Sequence, residues 1–176
     1  CLALTRLHPE PPGRYPTGRL FVLDRDVLRL SGAELHRLRG GTVAYVFQDP
    51  AVSLNPVLRV GTQIAEALRL HAPVGTDIPV RVRELLGSVG IPEPDVLARA
   101  YPCELSGGMQ QRVMIAMAVS CAPAVLVADE PTTALDVTVQ AQILALLARL
   151  RRESGTTILL VTHNLGIVAG IADRAA

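Results

Sequence analysis

The chain contains no lysine. All 17 of its basic residues are arginine, so a phosphate loop of the form GxxxxGK(S/T), which requires a lysine, has no match. Tryptophan is also absent, and the 176 residues include only three tyrosines and two phenylalanines. Nucleic-acid bases would find few rings to stack on, and a net charge of +1 exerts little pull on a polyanion. Both observations argue against nucleic-acid binding. Cysteine is scarce: Cys1, Cys103 and Cys121 show no CxxC or other metal-ligand spacing. An odd number of scattered thiols suits a reduced, cytosolic protein. No apolar run approaches the ~20 residues needed to cross a bilayer. The first residues lack the basic and apolar regions of a signal peptide.

Nearly half of the residues are apolar, 49%. A chain of this length can bury one sizeable core with a small attached subdomain. Arg19 to Leu23 reads as a short strand. Ser31 and Glu34 form a capping-box pattern before a short helix containing Leu35 and Leu38. Thr42 to Phe47 is β-branched and aromatic and reads as a strand ending at Gln48. Asp49-Pro50 and Asn55-Pro56 then break the chain. From Val60 to Ala100 the pattern is helical, punctuated by Pro and Gly. Ser106 is a good N-cap for a helix running to about Cys121. Val125 to Ala128 reads as a buried parallel strand. Val137 to Arg152 is a strong helix, with Val139, Ile143, Leu146, Leu147 and Leu150 near one face and Gly155 as its C-cap. Arg149, Arg151 and Arg152 read as its solvated face. Thr157 to Thr162 is a further buried strand ending at His163, followed by a last helix. This alternation predicts a mainly parallel sheet with covering helices.

Polar groups recur just after the predicted strands: Gln48, Asp129-Glu130 and His163, with Asp136 on the loop between. Ligands of open parallel sheets bind beyond the carboxyl ends of the strands, so a shared edge is expected. A carboxylate at a strand end can hold Mg²⁺ against phosphates. Its neighbour can polarise an attacking water. Alone, such a pair would equally suit a solvated strand end. Ser106-Gly107-Gly108 offers a hydroxyl and unobstructed backbone N–H groups at a helix start, which suits an anion as well as an ordinary cap. A lone His163 is usually a hydrogen-bonded structural residue. His8, His36 and His71 have no partner at metal-ligand spacing and read as surface or local structural residues.

Leu105-Ser106-Gly107-Gly108-Met109-Gln110-Gln111-Arg112, with Asp129-Glu130 ending an apolar run, resembles the signature and Walker B motifs of ATP-binding-cassette (ABC) ATPases. The resemblance extends from about Thr17 to Ala172 and implies an α/β, P-loop NTPase-like fold with an inserted helical subdomain. It implies residues 1–49 as the first part of the ATPase core, 50–105 as the helical subdomain, and 106–176 as the signature helix and the rest of the core. It assigns ATP and Mg²⁺ as cofactors. Asp129 takes the metal role and Glu130 the general-base role. His163 becomes the switch histidine contacting the γ-phosphate and the attacking water. Gln48 becomes the loop glutamine that senses Mg²⁺ or water and couples to the membrane partner. Ser106, Gly107, Gly108 and Gln110 belong to the signature that reaches ATP on the other protomer, and Asp136 to the loop crossing that interface. A second ATPase subunit is therefore implied.

Phe47-Gln48-Asp49-Pro50, Ser53-Leu54-Asn55-Pro56, Tyr101-Pro102 and Thr132-Thr133-Ala134-Leu135-Asp136-Val137-Thr138-Val139-Gln140 are similar to the ATPase subunits of bacterial oligopeptide, dipeptide and nickel importers. That branch implies permease partners, an indirect solute-binding protein, and a peripheral place on the cytoplasmic face of the inner membrane. Residues 50–100 are expected to dock on the permease. Two alternatives are a non-transport ABC ATPase of repair or translation and a degenerate, non-hydrolysing subunit. Cys103 and Asn164 depart from this branch, which often has His and Asp there. The chain starts at Cys1 and stops at Ala176 within a helical pattern, so truncation at both ends is expected, with the phosphate loop lying upstream.

Overall fold

The computed structural model describes residues 2–7, 18–133 and 135–175. Three parallel strands carry the centre: β3 (Val43–Val46), β4 (Val125–Asp129) and β5 (Thr157–Val161), in the order β3-β4-β5. Their register sets Val46 opposite Ala128, Ala128 opposite Leu160, and Asp129 opposite Val161. The carboxyl ends are therefore level, and the residues that follow emerge along one edge.

Alternation along the strands divides the core between the two faces. Ala44, Val46, Leu126 and Ala128 join the larger cluster, packed with Ile64, Leu86, Ile115, Ile143 and Leu147. Val43 and Val127 join a smaller cluster with Val22, Val27, Leu35 and Leu38. The smaller cluster is roofed by α1 (Gly32–Leu38), which begins with the predicted capping box. Ser31 Oγ accepts from Glu34 N at 3.4 Å, and Ser31 N donates to Glu34 Oε2 at 2.9 Å.

Beneath the larger face run α3 (Val60–His71), α4 (Ile78–Ser88), α6 (Gly107–Val119) and α7 (Val137–Ser154), with short turns α2 (Pro50–Ser53) and α5 (Pro94–Leu97) between them. Ser106 caps α6 as expected, and Gly155 closes α7 in the left-handed region at φ 67°. The last helix is α8 (Leu165–Ile171), capped by Asn164.

Three expectations need correction. The strand from Arg19 is a two-residue hairpin, β1 (Phe21–Val22) against β2 (Arg25–Asp26), turning through Leu23 and Asp24 at φ 47° and 62°. Both central residues take positive φ, which is the twist a two-residue hairpin needs. Asp49-Pro50 does not merely break the chain. Asp49 Oδ1 accepts from Ala51 N at 2.9 Å and starts α2, with Pro50 in its first turn. β5 is half-exposed rather than buried, Leu159 reaching 42%. Among the described residues its outer edge carries no strand. Arg149, Arg151 and Arg152 are exposed as expected; Arg149 also donates to the Ser88 carbonyl, and Arg151 pairs with Asp173 at 2.9 Å.

Candidate active site

Glu130 is the first residue beyond β4, and its backbone sits at φ 46°. A non-glycine residue there is uncommon and is sustained only by surrounding contacts. Those contacts are present. Glu130 N donates to Val161 O at 2.9 Å, and Glu130 O accepts from Thr133 N at 3.1 Å. The kink ends the ladder and turns the side chain along the sheet edge.

There the Glu130 carboxylate gathers three partners. His163 Nδ1 lies 3.0 Å from Oε1. Thr133 Oγ1 donates to Oε2 at 2.8 Å, and Gln48 Nε2 donates to the same oxygen at 3.4 Å. An ionised carboxylate only accepts, so His163 donates through Nδ1–H and leaves Nε2 for another group. The His163 contact, seconded by the Thr133 hydroxyl, holds the Glu130 carboxyl below the usual carboxylate range, while burial acts in the opposite direction. The side chains are 26% exposed for Glu130 and 77% for His163, so the cluster faces solvent and is open to a ligand.

The structure thus joins Gln48, Glu130 and His163, separated by 82 and 33 residues in sequence. Asp129 is the last residue of β4, opposite Val161 and next to this cluster along the chain. Ser106 shares no hydrogen bond with the cluster. It accepts from Met109 N at 3.4 Å at the start of α6. Gly107 and Gly108 lie against Leu135 and Val139; a Cβ on Gly108 would stand 2.8 Å from Val139 Cγ1. Asp136 Oδ1 accepts from Val139 N at 2.9 Å, which makes it the N-cap of α7. Gln110 turns its amide to the Pro102 and Leu105 carbonyls at 2.8 and 3.3 Å and braces the loop before α6.

Two further residues carry weight that their spacing did not disclose. Thr133 holds the Glu130 carboxylate from three positions downstream; a hydroxyl three residues beyond a carboxylate in a Pro-containing turn is the available signal. Gln63, 4% exposed, bonds Asn55 N, Asn55 O and Leu58 O at 2.9, 3.0 and 2.9 Å, fixing the segment that follows Gln48. A buried amide offsets its desolvation cost only through such bonds.

The donor chemistry suits Mg²⁺ shared with phosphate oxygens. Asp129 and Gln48 offer the hard oxygen ligands that this ion takes, and Mg²⁺ is commonly bound through one or two carboxylates plus substrate phosphates. Among the described residues no group of three or more His, Cys, Asp and Glu is arranged to hold a metal.

The family model described as "ABC transporter" matches residues 7–133. The chain belongs to the ABC transporter family. It is 47% identical over 175 residues to the oligopeptide transport ATP-binding protein OppD of Bacillus subtilis, covering 99% of this chain and 49% of OppD. It is 48% identical over 180 residues to the glutathione import ATP-binding protein GsiA of Escherichia coli K12, covering 99% of this chain and 29% of that protein. The chain therefore spans half or less of the length of these relatives. Among solved structures it is similar to the ATP-binding cassette MJ0796 in a dimeric post-hydrolysis state with ADP and Pi. The TM-score is 0.73 and the identity 32%, over 86% of this chain and 65% of that one. CbiO1 of Clostridium perfringens, part of an ABC transporter complex, gives a TM-score of 0.73 at 30% identity over 87% and 59%. The α/β cassette fold, with its parallel sheet, is the fold of this chain.

Proposed function

We propose that this chain is part of the ATP-binding and hydrolysing subunit of an ABC importer for peptides or a related small solute. The observation that carries the reading is the Glu130 cluster at the carboxyl edge of the sheet, with His163 and Gln48 converging on one carboxylate. The identities to OppD and GsiA support the importer branch.

In this reading Glu130 orients and deprotonates the attacking water. His163, fixed through Nδ1, presents Nε2 toward the γ-phosphate. Asp129 and Gln48 would hold Mg²⁺, which supplies charge neutralisation at the phosphates when bound. Ser106, Gly107, Gly108 and Gln110 form the signature serving the nucleotide of a second ATPase subunit, with Asp136 on the crossing loop. Their separation from the Glu130 hydrogen bonds supports a composite site. Residues 50–105 form the helical subdomain, and residues 50–100 the permease-docking surface. Val52 and Val57 are 83% and 75% exposed there. No helix among the described residues is long and apolar enough to cross a membrane. A peripheral position on the cytoplasmic face, below permeases fed by a solute-binding protein, accords with this.

The test is Glu130→Gln in the full-length protein. The amide keeps the shape but cannot take a proton, so steady-state hydrolysis falls on the order of 100-fold or more, while ATP binding persists and the ATP-bound dimer accumulates. Turnover equal to the parent's would remove Glu130 from the reaction.

A further inference from the structure

Thr133 is tied to Glu130 twice. Its N–H bonds the Glu130 carbonyl at 3.1 Å, closing the turn over Pro131 and Thr132. Its hydroxyl donates to Glu130 Oε2 at 2.8 Å. Of the donors to that oxygen it is the nearer: Gln48 stands at 3.4 Å and is exposed on the loop beyond β3. His163 holds the opposite oxygen, but from a side chain that is 77% exposed. Thr133, half-buried, belongs to the same short turn as the residue it grips.

A glutamate side chain has three torsions to fix, and this one leaves a backbone at φ 46°. A β-branched threonine has a restricted χ1, so its hydroxyl is a stiff anchor. With the Glu130 carbonyl already bonded to the Thr133 amide, the hydroxyl completes a ring that ties backbone and carboxylate together.

We propose that Thr133 is a positioning residue for the hydrolytic reaction: its hydroxyl sets the Glu130 carboxylate so that one oxygen stays on His163 and the carboxylate plane is fixed at the sheet edge. Thr133 acts through Glu130 and touches no reacting atom. The inference rests on the reading of Glu130 as the base.

The experiment compares Thr133→Val, Thr133→Ala and Thr133→Ser in the full-length protein, with Glu130→Gln in parallel. Steady-state kcat and KM for Mg-ATP are measured, and nucleotide-free crystal structures report the Glu130 side-chain conformation. Loss of the hydroxyl should lower kcat on the order of tenfold with KM for ATP within about twofold, because misplacement of a catalytic group costs rate rather than binding. Glu130 should leave the conformation seen here. Serine should restore both rate and conformation. Alanine carries the comparison if valine disturbs the turn. Parental kcat and an unmoved Glu130 in the valine and alanine variants would overturn the proposal. A serine variant as impaired as alanine would also overturn it, since the methyl group and not the hydroxyl would then matter. If Glu130→Gln is inactive while the hydroxyl-free variants are not, the positioning role alone fails. If Glu130→Gln keeps full turnover, the reading beneath it fails as well.

Discussion

Glu130 is held at its N–H, its carbonyl and both carboxylate oxygens, and a residue so constrained at positive φ is one whose direction matters. Histidine behaves differently elsewhere in the chain. His71 lies at the end of α3 with its ring against Gly40 and Gly41: a Cβ on Gly40 would stand 2.7 Å from its Nε2. Its centroid is 6.1 Å from that of His36. Burial first, and the His36 charge second, push the His71 imidazole below its ordinary value. A histidine with a depressed folded value contributes stability that is present above the ordinary value of ~6.5 and is lost as pH falls through the lower, folded one. The melting temperature of the chain should therefore fall between about pH 7 and about pH 5, and His71→Gln, which cannot charge, should fall less steeply. Equal slopes would contradict this. Sequence alone disclosed Gln48, Glu130 and His163 because each follows a strand. It did not disclose Thr133 or Gln63, whose roles depend on how a turn and a loop fold back.

At the scale of elements, the α6–α7 contact is the tightest point near the signature. Gly108 faces Val139, and Val139 is pinned in turn by Asp136 at its N–H. A methyl group on Gly108 would meet a stiff β-branched side chain with little freedom to yield. Overpacking of this kind costs about 1–3 kcal/mol, set against a helix-propensity gain of at most about 1 kcal/mol for Gly→Ala. Gly108→Ala should lower the denaturation midpoint, with a net loss of about 1 kcal/mol. A midpoint equal to or above the parent's would show that the helices part freely. Element boundaries were legible wherever a cap announced them, at Ser31, Ser106 and Gly155. The β1–β2 hairpin was not, because Leu23-Asp24 adopts a turn whose usual signal is Asn-Gly or Asp-Gly. The apolar run at Thr157–Val161 marks a strand built for burial on both faces, and its half-exposure reflects the outer edge that no described strand covers.

At the scale of the molecule, the chain gathers the groups that would act on water and metal at one edge of a three-stranded sheet. It has no lysine with which to hold phosphates. Parallel order and register follow from strand–helix alternation, which is why the shared edge was legible in the order of residues along the chain. We propose that these residues form the hydrolytic edge of a nucleotide site and lack the lysine that would hold the phosphates. With no lysine in the chain, the phosphate-loop cation that would offset the charge of the β- and γ-phosphates is missing. A ligand bound to the folded state raises its stability by RT ln(1 + [L]/Kd), about 2.7 kcal/mol at a hundredfold excess over Kd. The direct measurement is the melting temperature of residues 1–176, and of the full-length protein, with and without millimolar Mg-ATP. Residues 1–176 should show little or no shift and the full-length protein a clear rise; a strong rise for residues 1–176 alone would mean that they hold ATP without a phosphate loop.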